Sequence, residues 1–199
     1  GVLKPSNFEI FRETLEEKNM GGQAEDFLMA SGKLQVLCYK ADIEAALRTP
    51  GFGGFELLQL HDFPGQGTAL VGILNPFFES KGYVTPDEFR MFCNETVPLA
   101  RMQKMIYKND ETFEARVEIA HFGHEPLWNS EILCQVTNAD GKILRKEIMT
   151  MDEIKIGNEN IPGVFAMDLN KITEAQKLRF EVSITGTSFK NKWDFWVYP

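Results

Sequence analysis

The run Thr112-Phe113-Glu114-Ala115-Arg116-Val117-Glu118-Ile119-Ala120-His121 sets Phe113, Ala115, Val117 and Ile119 against Glu114, Arg116 and Glu118 at every second position. A period of two sends alternate side chains to opposite faces, so this stretch is a strand with one face in a core and the other in water. The same signature recurs downstream. Ile132–Val136 and Lys142–Met149 flank Asn138-Ala139-Asp140-Gly141, where Asp-Gly supplies the positive φ that a tight hairpin turn needs. Further strands are expected at Val164–Leu169, at Leu178–Thr185 with Leu178, Phe180, Val182 and Ile184 inward, and at Trp193–Tyr198. Short strands separated by turn signals at this density predict an immunoglobulin-like β-sandwich over residues 103–199.

Upstream of Pro98 the period is helical. Ser6-Asn7-Phe8-Glu9 has capping-box spacing, and Phe8, Phe11 and Leu15 follow at helical intervals until Gly21-Gly22. Ala24–Arg48 reads as a long helix with Phe27, Leu34, Leu37, Cys38, Ala41 and Ala45 as its apolar stripe, closed by Pro50. Phe55–Leu60 is a short apolar run, as in a strand covered on both faces, and Ala69–Phe78 after the polar loop is expected to return to helix. Thr85-Pro86-Asp87-Glu88 is a second capping box with Pro at the first helical position. The predicted class is therefore α+β in two modules, a helix-rich 1–102 and a sandwich 103–199, joined through Val97–Asn109.

The 199 residues carry a formal net charge of −8, and no basic stripe gathers the 21 Lys and Arg. Phosphate backbones and anionic bilayers are excluded as favoured partners. Cys38, Cys93 and Cys134 lack zinc or redox spacing and read as buried thiols. Gly1-Val2-Leu3-Lys4-Pro5 does not resemble a signal peptide, and Gly1 is expected to be the remnant of a cut from something longer.

Three stretches carry a resemblance: Glu25-Asp26-Phe27-Leu28-Met29-Ala30-Ser31-Gly32-Lys33-Leu34-Gln35, Leu47-Arg48-Thr49-Pro50-Gly51-Phe52-Gly53-Gly54-Phe55, and His61-Asp62-Phe63-Pro64-Gly65-Gln66-Gly67-Thr68-Ala69-Leu70-Val71-Gly72. Together they resemble the C-terminal end of the catalytic barrel in bacterial glycoside hydrolase family 2-like proteins, which include β-galactosidases, β-glucuronidases and β-mannosidases. Asn191-Lys192-Trp193-Asp194-Phe195-Trp196-Val197-Tyr198-Pro199 resembles the last strand of the sandwich that follows that barrel. The resemblance implies a C-terminal fragment of a (β/α)8 barrel with Phe55–Leu60 as strand 8, and a parent that acts on carbohydrate with two carboxylic acids. Both catalytic Glu positions then fall upstream of Gly1, so no residue here is catalytic, no cofactor is implied, and the isolated chain is expected to be inactive. A periplasmic or extracellular location is the expectation for the parent.

What remains for this chain is the barrel mouth, where strand ends gather the chemistry. His61, Asp62, Phe63 and Gln66 are the candidate substrate-binding residues, polar groups for sugar hydroxyls and one ring for stacking; the alternative is a loop that caps the strand and packs. Gly65-Gln66-Gly67 lacks the spacing and the Lys-Ser/Thr pair of a phosphate loop. His121 and His124 lack the further ligands of a metal site, and no metal is expected. Glu56 and Glu79 read as surface groups. All three Trp fall in the sandwich, and alternation puts Trp193, Phe195 and Val197 on one face of the last strand and Trp196 and Tyr198 on the other. That second set is the basis of a rival reading, a non-catalytic carbohydrate-binding or interaction module. Finally, an unpaired strand Phe55–Leu60 would template a second copy, so self-association through the first module is expected.

Overall fold

Alternation becomes a two-sheet sandwich wherever the sequence predicts it. The computed structural model describes residues 6–63, 65 and 70–199. Contacts divide them into two units, one from 1–43 and 54–89, the other from Glu44–Gly53 and Arg90–Pro199.

The second unit holds eight strands: β1 Thr96–Met102, β2 Ile106–Lys108, β3 Thr112–His121, β4 Leu127–Thr137, β5 Ile143–Ile154, β6 Gly157–Asp168, β7 Gln176–Ile184 and β8 Lys190–Tyr198. One sheet runs β1-β3-β6 and the other β2-β8-β7-β4-β5. All pairings are antiparallel except β2 with β8. The inner faces are the alternating apolar sets: Phe113, Ala115, Val117 and Ile119 from β3, and Leu178, Phe180, Val182 and Ile184 from β7, are all buried. Trp193, Phe195 and Val197 of β8 join them, while Trp196 and Tyr198 lie outside. Phe113 stacks on Phe195 with ring centroids 4.2 Å apart and meets Phe180 edge-on, which centres the core on aromatic contacts between the two sheets. The β4–β5 hairpin turns at Asn138–Gly141, with Gly141 at φ 79 and the Asn138 side chain accepting from Asp140 N and Lys142 N.

Two strands fall in the expected linker. Thr96–Met102 is β1, which hydrogen-bonds along β3 with Val97 opposite Ala120 and Leu99 opposite Glu118. Pro98 within it masks the pattern, because a proline is tolerated only on an edge strand, and β1 is one. Ile106–Lys108 is β2, too short for a period to show.

In the first unit, α1 spans Ser6–Glu17, α2 starts at Ala24 and runs to Leu47, and α3 covers Pro86–Arg90. Thr85 caps α3 as its spacing predicts: Thr85 Oγ1 accepts from Glu88 N, and Glu88 Oε2 accepts from Thr85 N. The expected barrel fragment is not found. Phe55–Leu60 forms no strand and Leu70–Phe78 no helix; both are irregular, with only isolated bridges from Leu74 to His61 and to Ser80. A parallel strand takes its backbone partners from neighbours on both sides, and among the described residues none is supplied. Without that strand, the edge on which self-association was expected to build is missing. The stripe expected to bury α2 is also exposed: Phe27, Leu34, Leu37 and Cys38 face outward, and Gly32, Ile43 and Glu44 are its buried positions.

Candidate functional site

The predicted mouth residues lie on a loop that folds back on itself. Leu74 N donates to Leu60 O and Asp62 N to Leu74 O, which brings Gly72 against the backbone of His61. A Cβ on Gly72 would lie 2.2 Å from the His61 carbonyl carbon, so only glycine fits there. Asp62, 5% exposed, is the centre of the loop. Its Oδ1 accepts from Gly72 N at 2.9 Å and from Lys81 Nζ at 2.8 Å. Lys81 Nζ and the Tyr83 hydroxyl both donate to Gly72 O, and Tyr83 also reaches Gln35 Oε1 at 3.0 Å. Burial pushes the Tyr83 phenol up from its ordinary range, and the Asp62 carboxylate beside it adds to the rise. His61 stacks on Phe78 with centroids 4.3 Å apart. Phe63 is exposed. Gln66 lies outside the described residues. The loop thus gives Asp62 two donors from the protein itself, leaving His61 and Phe63 as its accessible candidates.

In the sandwich unit, His124 is exposed and His121 is not. His121 is buried between Thr96 Oγ1, 2.7 Å from Nδ1, and Glu125 O, 2.8 Å from Nε2. A carbonyl can only accept, so Nε2 carries a proton and donates to Glu125 O, while Nδ1 and the Thr96 hydroxyl share the second hydrogen bond. Both ring nitrogens are committed to holding the β3–β4 turn, and among the described residues no group of His, Cys, Asp and Glu is arranged to hold a metal ion.

A carboxylate that sequence reading passed over sits in the same unit. Glu44, 3% exposed, ends α2 and accepts from Trp193 Nε1 at 3.0 Å, Asn191 Nδ2 at 2.8 Å and Arg48 Nη2 at 2.8 Å. Arg48 Nη2 also donates to Ala100 O, and Asn191 Nδ2 to Pro98 O. Leu47 packs beside this network on Val97, Leu99 and Ala120. The only hint in the sequence is a lone acid inside the apolar run Ile43-Glu44-Ala45-Ala46-Leu47. With three donors converging on it, Glu44 is an anchor and leaves no open side for a ligand.

Two shallow cavities open on the outer face of the five-stranded sheet. One of about 290 Å³ includes Met91, Gln135, Glu181, Ser183, Lys190 and Lys192 in its wall; the other, about 140 Å³, lies between the β4–β5 turn and Lys177, Arg179 and Asp194. Each wall contains a single carboxylate, Glu181 or Asp194. Burial alone would raise the Asp194 carboxyl, but hydrogen bonds from Arg179 and Lys177 outweigh it and hold Asp194 below the usual carboxylate range. Glycosidic hydrolysis needs two carboxyl groups across one sugar. Neither cavity offers a pair.

Residues 111–199 match a family described as a domain of unknown function (DUF8488). No curated protein sequence matches the chain. Among solved structures, an alpha-2-macroglobulin from Escherichia coli is similar at 20% identity and a TM-score of 0.40, covering 51% of this chain and 8% of that one. A β-glucuronidase from Parabacteroides merdae is similar at 13% identity and a TM-score of 0.37, covering 52% of this chain and 14% of that one. A CARDB domain from Pyrococcus furiosus, solved with di-metal ions, is similar at 9% identity and a TM-score of 0.39, over 52% of this chain and 92% of that one. The chain spans a small part of the first two proteins.

Proposed function

We propose that this chain is the C-terminal part of a glycoside hydrolase, in which the sandwich is an immunoglobulin-like accessory domain and the sugar chemistry belongs to the longer protein. The supporting observation is a meeting of resembling segments: Arg48, in the stretch Leu47–Phe55, and Asn191 and Trp193, in the closing strand, all donate to Glu44. Two segments that resemble one family and lie far apart in the sequence are thus joined through one buried acid, as expected if they were inherited together. His61 and Phe63 are then the groups offered to substrate, with Gln66 completing the set and Asp62 shaping the loop. The test is hydrolysis of a panel of nitrophenyl glycosides by this chain and by the longer natural protein that contains it. Turnover by the longer protein and none by this chain is the expected result. Turnover by this chain, or none by the longer protein on any glycoside, overturns the reading.

A second reading, a carbohydrate-binding module, draws on Trp196 and Tyr198, which are 40% and 48% exposed on one face of β8. Rings two residues apart on a strand stand about 6.8 Å from each other, a spacing that lets both touch one oligosaccharide.

A further inference from the structure

The outer face of β7 and β8 is cationic in an anionic protein. Lys177, Arg179, Lys190 and Lys192 share it with two carboxylates, Glu181 and Asp194, while the whole chain has a net charge of −8. Asp194 is paired with the cations Lys177 and Arg179, whereas Glu181 accepts from the neutral Gln135 Nε2 at 2.9 Å and keeps its charge, so the wall around Lys190 and Lys192 holds two cations and one carboxylate. Lys190 and Lys192 have no ion-pair or hydrogen-bond partner for their ammonium groups among the described residues. They stand two residues apart on the same side of β8, about 6.8 Å along the strand, and both border the 290 Å³ cavity. Its remaining wall combines the Ser183 hydroxyl, the Gln135 amide fixed by Glu181, and the apolar Met91.

We infer that this cavity binds an anionic saccharide, a sugar ring bearing a carboxylate. Two unpaired ammonium groups receive the carboxylate, and a charged hydrogen bond of that kind outweighs a neutral one. Ser183, Gln135 and Glu181 can exchange hydrogen bonds with ring hydroxyls, and Met91 covers the C–H face of the ring. The volume lies at the lower end of the range for small-molecule sites, about 300–1,000 Å³, which suits one sugar unit. Trp196 lies four residues further on the same face of β8, about 13 Å away, where a later sugar of the same chain would stack. Choosing a saccharide over another hydroxylated anion rests on the proposed carbohydrate-active parent; the preference for negative charge does not.

Amide-resolved NMR titration of this chain tests the site with three probes: tri-galacturonic acid, neutral galactotriose and citrate. Tri-galacturonic acid is expected to shift the amides of β7 and β8 around Ser183, Lys190 and Lys192, with affinity that weakens as salt rises. The double variant K190A/K192A removes one exposed and one half-buried side chain on the outer face of β8, outside the core, and it should lower that affinity by about tenfold or more. Equal binding of galactotriose overturns the charge preference, and equal binding of citrate overturns the saccharide. No shifts with tri-galacturonic acid, or unchanged affinity in the double variant, overturn the site. Because hydrolysis is not part of the readout, failure here leaves the glycosidase reading standing, and loss of that reading leaves the anion site measurable.

Discussion

The two units of this chain spend their apolar side chains differently. In the sandwich, Phe113, Phe165, Phe180 and Phe195 are fully buried against one another. In the helical unit, Phe8, Ile10, Phe11, Phe27, Leu28, Leu34 and Leu37 are each more than 40% exposed, and α1 buries none of its residues. The difference follows from period. A strand pair with alternating residues finds its complement in the facing sheet of the same module, whereas an amphipathic helix is satisfied only if another apolar surface is brought to it. The sandwich thus carries its own reason to fold. The helical unit has the composition of a piece whose covering surface comes from elsewhere, in keeping with the proposed parent.

The sharpest way to break this comparison is a matched pair of deletions. Phe113→Ala empties the centre of the aromatic cluster and is expected to cost the sandwich about 3–5 kcal/mol, close to the whole stability of a small domain. Phe11→Ala removes a ring that is 61% exposed and should stay within about 0.5 kcal/mol. Urea unfolding followed by tryptophan fluorescence reads the sandwich, where all three Trp lie, and circular dichroism at 222 nm reads the helices. Equal losses would mean that the helical unit has a core of its own.

A somewhat smaller loss is expected at Glu44. Glu44→Ala leaves the buried Trp193 indole N–H and Asn191 amide and the half-buried Arg48 guanidinium without their common acceptor, and Arg48 Nε already lacks a partner among the described residues. Removing one member of a buried charged pair costs about 3–5 kcal/mol, reduced here because Arg48 is partly exposed and can turn to water. The same urea titration reads this loss, and a blue or red shift of Trp193 emission should accompany it. A variant as stable as the parent chain would show that Glu44 is incidental.

How much of this was legible beforehand divides along the same line. The β3 alternation gave that strand to its ends, Asp140-Gly141 gave the β4–β5 hairpin, and the split of Trp193, Phe195 and Val197 from Trp196 and Tyr198 followed from period alone. Phe55–Leu60 misled because an apolar run states that burial is wanted without saying what supplies it, and here no neighbouring strand does. Glu44 was invisible for a different reason: its partners Asn191 and Trp193 are 147 and 149 residues away in sequence, a distance that no local spacing rule spans. Lys190 and Lys192 alternate like any solvated strand face, and only the engagement of Glu181 and Asp194 elsewhere marks them out.

The thiols test the comparison without changing free energy. Cys134 is buried at the centre of β4, where desolvation pushes its thiol up to about 12, with the Glu147 carboxylate adding to the rise. Cys93 is also raised by burial, while Cys38 is exposed on α2. Since the thiolate is the reactive form, a disulfide reagent at pH 8 should modify Cys38 quickly, Cys93 slowly and Cys134 only on unfolding. Mass mapping of the labelled peptides checks the order. Rapid modification of Cys134 in the folded chain would mean that the sandwich opens as readily as the helical unit.

The smallest effect belongs to the outer face of the sandwich, where Asp194 accepts from Arg179 Nε at 2.8 Å and from Lys177 Nζ at 3.2 Å. Hydrogen bonds from these cations hold the folded Asp194 carboxyl below its ordinary value despite partial burial, so the folded state favours the ionised form. A depressed carboxyl stabilises the fold fully above its unfolded pKa of about 3.9, and that stabilisation disappears as pH falls through the lower folded value. At pH 7, Asp194→Asn should therefore cost only about 0.2–1 kcal/mol, the usual worth of a solvent-accessible ion pair. As pH falls from about 4 through the lower folded value the two proteins should converge, because protonation removes from the unsubstituted chain the charge that the substitution has already removed. Urea midpoints for both proteins at intervals from pH 7 to pH 2 decide it. A gap that persists unchanged at the acid end would mean that the aspartate acts by shape rather than charge, and would remove Asp194 from the electrostatics that leave Lys190 and Lys192 without a partner.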